Sequence, residues 1–266
     1  MSYQVLARKW RPNSFAEVVG QEHVVKALSN ALDSNKIHQA YLFSGTRGVG
    51  KTTLGRILTK CLNCEKGLKS SPCNKCQACE SINEGRFIDF QEVDAASRRG
   101  VEETQQLLET VMHMPGSSRY KVYLIDEVHM LSKHSFNALL KTLEEPPPHV
   151  VFILATTEVH KVLPTIVSRC QRFNFLSLKV EDIVSRLEKL CLDEGVEINR
   201  DALLQVAQVA SGSLRDAENI FERLILTYGS KLELEIVQNA LNVGYENESF
   251  DLIRYILCGD TKKCLE

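Results

Sequence analysis

The chain has 266 residues, 44% hydrophobic and 25% charged, with a formal net charge of −2. This is ordinary globular composition, long enough for one large and one small domain, and no apolar run approaches the ~20 residues that cross a bilayer. The near-neutral charge excludes a global basic footprint for nucleic acid, so any contact with DNA or RNA has to be local or shared with partner chains.

The N-terminal stretch "MSYQVLARKWRPNSF" carries charges where a secretory signal needs an apolar run, which predicts a cytoplasmic chain. In such a reducing compartment the nine cysteines read as metal ligands or buried thiols rather than disulfides. Short apolar runs alternate with helical patterns up to residue 178, which predicts an α/β domain on a parallel sheet. The first predicted strand, Ala40–Ser44, leads into Gly45, Thr46, Arg47, Gly48, Val49, Gly50, Lys51 and Thr52, a complete G-x-x-x-x-G-K-[ST] pattern, followed by Thr53 and a helix-periodic stretch. Glycines let successive N–H groups converge on phosphate oxygens, and the next helix turns its positive end to them. Lys51 then sits between the β- and γ-phosphates of ATP, and Thr52 holds magnesium.

On the helix after this loop Leu54, Ile57, Leu58 and Cys61 share one face, which makes Cys61 a core residue. Asn63 suits a helix end and leaves Cys64 free to coordinate. Cys64, Cys73, Cys76 and Cys79 then have the spacing of a closed, structural four-thiolate zinc site within an insertion at 61–80. Three alternatives stay open: Cys61 in place of Cys64, an iron–sulfur cluster, and free thiols. The later strands are Phe87–Val93, Tyr120–Asp126, Val150–Ala155 and Phe173–Leu176, and four of the five are nearly continuous apolar runs, as in strands buried on both faces. The third ends in Asp126-Glu127, at the sheet edge where α/β folds bind ligands. Because neighbouring strand residues point apart, Asp126 is expected to support the magnesium shell and Glu127 to orient the attacking water. From residue 179 the pattern is helical only: a stripe of Ile183, Leu187, Leu190 and Cys191, then helices over Arg200–Ala210, Leu214–Tyr228 and Glu233–Leu241. The expected domains are therefore 1–178, 179–242, and 243–266 as the start of a further domain too short to bury its own core.

Together with the four-cysteine insertion, the segments "SYQVLARKWRPNSFAEVVGQEHVVKAL", "HQAYLFSGTRGVGKTT", "EVDAASRRGVEETQQLLE", "KVYLIDEVHMLSKHSFNALLKTLEEPP", "FILATTE", "LPTIVSRCQRF" and "ASGSLRDAEN" carry a resemblance over residues 2–242. In this the chain resembles the gamma/tau family of bacterial DNA polymerase III subunits, AAA+ ATPases that drive the sliding-clamp loader. The resemblance implies a P-loop AAA+ domain with a zinc-knuckle insertion, a helical lid, and a truncated oligomerisation collar from residue 243. It implies an ATP-hydrolysing motor within the polymerase holoenzyme, a nucleotidyltransferase complex, that loads the clamp onto primed DNA. Its partners would be the other loader subunits of a hetero-oligomeric ring, the sliding clamp, primed DNA, and the polymerase core through a region beyond this chain.

Residue by residue, the resemblance makes Thr157 the sensor of the γ-phosphate and Arg169 of "SRC" an arginine finger supplied in trans. Arg215 of "GSLRDA" would reach from the lid to the nucleotide, while Arg11, Pro12, Val18 and Val19 would pack on adenine. Arg98 and Arg99 would follow template-strand phosphates, and a loop with Met112, Met114 and Pro115 would touch the clamp. Two other functions share parts of this pattern: a ring helicase or branch-migration motor, and a zinc-dependent scaffold with a merely structural nucleotide site.

Overall fold

The structure, a computed structural model, describes residues 4–97, 110–116, 118–242 and 254–258. It divides into two compact units, residues 11–177 and residues 4–10 with 178 onward.

The larger unit is built on five parallel strands: β1 (Ala40–Ser44), β2 (Phe90–Asp94), β3 (Lys121–Asp126), β4 (Val150–Thr156) and β5 (Gln171–Asn174), in the order β2-β3-β4-β1-β5. The three central strands are buried on both faces, whereas the edge strands β2 and β5 bury one residue each, Phe90 and Phe173. That is why the central strands read as continuous apolar runs. The edge strands are displaced from their expected spans: β2 begins at Phe90 rather than Phe87, and β5 covers Gln171–Asn174 rather than Phe173–Leu176. An edge strand takes its span from its one neighbour, and pairing of Tyr41 with Gln171 and of Phe90 with Val122 sets these registers.

Period-two alternation divides the core. Tyr41, Phe43, Val122, Leu124, Val151 and Ile153 face one side of the sheet and meet Leu54, Ile57, Leu58 and Cys61 of α3 (Lys51–Asn63) and Leu28 of α2 (Glu22–Asp33). Leu42, Tyr123, Ile125, Phe152 and Leu154 face the other side and meet Phe136, Leu139 and Leu143 of α5 (Lys133–Glu144). Each fully buried Leu or Ile contributes roughly 1.5–3 kcal/mol of transfer free energy. Between α3 and β2 lies a short α4 (Gln77–Glu84), and α6 (Pro164–Val167) precedes β5.

The second unit packs α7 (Val180–Glu194), α8 (Arg200–Val209), α9 (Leu214–Tyr228) and α10 (Leu234–Leu241) around Ile183, Leu187, Val206, Phe221 and Val237. Side-chain caps fix two starts: Asn199 Oδ1 accepts from Asp201 N at 3.1 Å, and Ser213 Oγ from Asp216 N at 3.3 Å. Gly195, at φ 68°, ends α7 in the left-handed conformation that glycine tolerates best. This unit also takes in residues 4–10, which the sequence reading places in the first domain. There α1 (Leu6–Lys9) buries Leu6, the Leu6 N–H donates to Glu222 Oε1 at 3.1 Å, and Trp10 Nε1–H donates to Glu194 Oε1 at 2.6 Å. No helix among the described residues is long and apolar enough to cross a membrane.

Candidate functional site

Strand order decides what meets at the carboxyl edge of the sheet. Because β4 lies between β1 and β3, the loops after these three strands are neighbours. The loop after β1 is tied down where the Gly45 N–H donates to Thr156 O at 3.2 Å. Gly45 has φ +155°, and a Cβ there would sit 2.5 Å from Phe175 O, so only glycine fits. Gly50, at φ 97°, turns the chain into α3 without a side-chain cap, which leaves the first-turn N–H groups of that helix to an anion. Lys51 is 6% exposed, and its ammonium donates to Gly45 O at 2.9 Å and Thr46 O at 2.8 Å. Burial lowers its pKa, and the charges of Asp126 and Glu127 push it back up.

Thr52 Oγ1–H donates to Asp126 Oδ2 at 2.8 Å, which brings the two predicted magnesium ligands together. Glu127 goes a different way, for a reason the sequence reading did not give. β3 stops at Asp126, and Glu127 adopts φ 47°, ψ 46°, a left-handed conformation that costs a non-glycine residue roughly 1–2 kcal/mol. That turn, not strand alternation, directs its carboxylate toward β4. There Glu127 Oε2 accepts from Thr157 Oγ1 at 2.9 Å and from Thr157 N at 3.3 Å.

His129 was not singled out by sequence reasoning. Its side chain is 6% exposed; Nδ1 lies 3.0 Å from Thr156 Oγ1 and 3.4 Å from Glu127 Oε2, and Nε2 lies 3.4 Å from Glu158 Oε1. Glu158 in turn pairs with Lys161 at 2.7 Å, and that hydrogen bond holds its carboxyl below the usual range. The available signal was the local "DEVH" spacing, without which a lone histidine reads as a surface residue. Gln21 was missed as well. It is fully buried, with Nε2 donating to Leu176 O at 2.7 Å and to Val49 O at 3.5 Å, and it joins the N-terminal segment to the phosphate loop.

The other predicted residues stand on other elements. Arg169 donates from Nη1 to Thr165 O at 2.7 Å and from Nη2 to Glu144 Oε1 at 2.8 Å, beyond the end of α6. Arg215 lies in the first turn of α9, beside the Ser213 cap, in the second unit. Val18 packs against the core around α2 and α3, and Arg11, Pro12 and Val19 belong to the same segment. Met112 and Met114 are 73% and 74% exposed. Arg98 and Arg99 lie outside the described residues.

A second cluster closes the far end of α3. The Sγ atoms of Cys64, Cys73, Cys76 and Cys79 all lie within 4.8 Å of one another. Tetrahedral S₄ coordination of zinc with bonds of about 2.3 Å places sulfurs about 3.8 Å apart, so the donor set fits with little movement. Cys73 N–H donates to Cys64 Sγ at 3.4 Å and Cys79 N–H to Cys76 Sγ at 3.5 Å, the amide support that thiolate ligands require. A backbone N–H bond from Lys75 lowers the Cys73 thiol to about 6, while burial pushes Cys79 up, so a metal ion would have to displace the Cys79 proton. Cys61 stands outside the cluster among core residues. Its Sγ is 3.6 Å from Ser70 O, and burial pushes its thiol up to about 12. Arg119 clasps the helix end, with Nε donating to Leu62 O at 3.0 Å and Nη2 to Cys64 O.

The family described as "DNA polymerase III, delta subunit" matches residues 20–179. The chain is 52% identical over 253 residues to DNA polymerase III subunit tau of Escherichia coli K12, covering 95% of this chain and 39% of that protein. To DNA polymerase III subunit gamma of Buchnera aphidicola subsp. Schizaphis graminum it is 49% identical over 265 residues, covering all of this chain and 73% of that protein. It spans about two fifths of the tau relatives it matches. Among solved structures, the Thermotoga maritima RuvB Holliday junction branch migration motor superposes with a TM-score of 0.65 at 20% identity, covering 93% of this chain and 79% of that one. A likeness at that identity speaks for the fold alone.

Proposed function

The chain belongs to the gamma/tau family of DNA polymerase III subunits, and from that membership we propose that it binds and hydrolyses ATP as a motor subunit of the sliding-clamp loader. The observation that carries this reading is the meeting, at three adjacent strand ends, of a phosphate loop closed by Lys51, the bonded pair Thr52–Asp126, and Glu127 held by Thr157. In this reading loop amides and Lys51 bind the β- and γ-phosphates. Thr52 and Asp126 would hold magnesium, which neutralises the charge developing on those phosphates. Glu127 orients a water for in-line attack on the γ-phosphorus and accepts its proton as the bond to the β-phosphate oxygen breaks, releasing ADP and phosphate. Thr157, bonded to Glu127, would exchange that carboxylate for the γ-phosphate and so report its presence. Family membership alone assigns Arg215 of the helical unit to the nucleotide, and Arg11, Pro12, Val18 and Val19 to the base. The work would be done in the cytoplasm, with other loader subunits in a ring, the clamp, primed DNA (touched by Arg98 and Arg99), and the polymerase core as partners. A branch-migration motor has only the fold likeness in its favour. The test is phosphate release by the ring reconstituted from the full-length protein: stimulation by clamp and primed DNA is expected, and its absence sinks the reading.

Arg169 is the finger that this reading supplies to ATP on the neighbouring subunit. Its present bond to Glu144 joins side chains 34% and 55% exposed, and such pairs contribute only about 0–1 kcal/mol, so a phosphate can capture the guanidinium at little cost. Arg169→Ala should therefore lower ring turnover by roughly 10³-fold or more while leaving nucleotide affinity of the altered subunit unchanged. In rings mixed from wild-type and altered subunits the loss should fall on the neighbour's site. A loss confined to the altered subunit's own site would contradict action in trans.

Zinc is the ion we assign to the four sulfurs, as a structural staple for a knuckle without a core of its own. One zinc per chain is expected by elemental analysis. Cys64→Ser and Cys79→Ser should lose it, and Cys61→Ala should keep it. Loss of metal on replacing Cys61 alone would mean a different ligand set.

A further inference from the structure

Lys60, in the last turn of α3, is 1% exposed and takes no part in the reaction described above. Its ammonium donates to three neutral acceptors: Asn13 O at 2.7 Å, Asn13 Oδ1 at 3.3 Å and Asn74 Oδ1 at 3.0 Å. Among the described residues no carboxylate forms an ion pair with it. A buried ammonium is unfavourable unless it has hydrogen bonds and a counter-charge. The hydrogen bonds are present, and Cys79, Cys61 and the Glu17 carboxylate favour the charged form while Arg56 opposes it. Burial lowers the pKa of Lys60, and the largest opposing effect comes from Cys79. Four thiolates around a divalent ion would carry a net charge of about −2, which suits a cation bonded to the turn that carries two of them.

The two asparagines lie on opposite sides of the problem. Asn74 sits between Cys73 and Cys76 with φ 55°, a left-handed turn residue. Asn13 opens the segment that runs to Gln21, where Gln21 Nε2 reaches the carbonyl of Val49 in the phosphate loop. Within that segment Asn13 N–H and Ser14 Oγ–H both donate to the Glu17 carboxylate, at 2.9 Å and 2.7 Å, so it holds its shape as a turn. Lys60 also rides on the helix that begins at Lys51 and ends at Cys64. A leucine or methionine would fill the same space, but only a cation satisfies three converging oxygens.

We propose that Lys60 couples the metal knuckle to the nucleotide site: the metal-loaded cysteines fix Asn74 and balance the ammonium, the ammonium fixes Asn13, and the segment from Asn13 to Gln21 then holds the nucleotide side of the phosphate loop in place. The proposal rests on the reading of that loop as a nucleotide site. By thermodynamic reciprocity, metal occupancy raises nucleotide affinity and bound nucleotide raises metal affinity by the same factor.

The experiment uses the full-length protein, zinc, a non-hydrolysable ATP analogue and a chelator with a chromogenic zinc reporter. Removing zinc from the wild type should weaken analogue binding by about ten-fold, and saturating analogue should lower zinc loss to a fixed chelator concentration by about the same factor. Asn74→Ala leaves all four cysteines and the whole phosphate loop in place; there both effects should fall below about two-fold, with one zinc still bound. Lys60→Met should do the same. Should zinc-free protein or Lys60→Met not fold, zinc loss with and without analogue from metal-loaded wild type and Asn74→Ala decides the matter. Analogue binding that is indifferent to zinc, or coupling of undiminished size in Asn74→Ala, overturns the coupling alone. Failure of zinc-loaded wild type to bind analogue at all overturns the nucleotide-site reading and the coupling with it.

Discussion

Lys51→Ala is expected to lower ATP affinity by at least 100-fold and to leave no clamp- and DNA-stimulated hydrolysis in the assembled ring. Lys51 is 6% exposed, so its ammonium is already stripped of most of its water before any ligand arrives. The carbonyls of Gly45 and Thr46 hold that charge at 2.9 Å and 2.8 Å. A phosphate oxygen is a stronger acceptor than either carbonyl, since charge-assisted bonds contribute about 1.5–3 kcal/mol each. Two such contacts, to the β- and γ-phosphates, amount to roughly 3–6 kcal/mol, which is a factor of 10² to 10⁴ in affinity. The fold should survive, because the lost bonds are to loop carbonyls that water can reach once the side chain is gone. Stability should fall by only about 1–3 kcal/mol. Lys51→Arg should recover little, because a planar guanidinium needs more room than this buried position gives. Equilibrium titration with a fluorescent ATP analogue, beside a thermal melt, separates the two effects. Wild-type affinity in a folded Lys51→Ala protein would remove the phosphate loop from the argument.

The phosphate loop and the helices after residue 178 were legible because their signals are local. A glycine pattern between an apolar strand and a periodic helix needs no long-range information, and neither does a Ser213–Asp216 cap opening α9 at Leu214. Cys61 could be set apart from Cys64 because α3 carries its apolar face to Cys61 and ends at Asn63. The left-handed turn at Glu127 was not legible, since nothing in "IDEVH" distinguishes a strand that continues through the glutamate from one that stops before it. His129 and Glu158 are neighbours only because β3 pairs with β4, and Gln21 meets Val49 and Leu176 only once the sheet has formed. Residues 4–10 show the same limit. One turn of helix has too little periodicity to announce its partner, and the bonds that place it run to Glu194 and Glu222.

Glu127→Gln separates binding from turnover: hydrolysis in the ring is expected to fall by roughly 10² to 10⁴-fold, while ATP affinity stays within about three-fold of wild type. Glutamine matches glutamate in size, and its amide oxygen can still accept from Thr157 Oγ1 and Thr157 N, which lie at 2.9 Å and 3.3 Å. The left-handed backbone at this residue is as accessible to glutamine as to glutamate, so the turn that aims the side chain is kept. The Thr52–Asp126 pair and the two carbonyl bonds of Lys51 do not involve Glu127, so phosphate and metal binding persist. What disappears is a carboxylate able to accept a proton from water. The charge of Glu127 also raises the pKa of Lys51, but as the smallest of the three influences on it, after burial and Asp126. Affinity should therefore change little. Asp126→Asn makes the complementary case: it weakens a magnesium ligand and should impair binding of the metal–nucleotide complex and turnover together. Equal loss of affinity and turnover in Glu127→Gln would assign the glutamate to ground-state binding and leave the attacking water without a base.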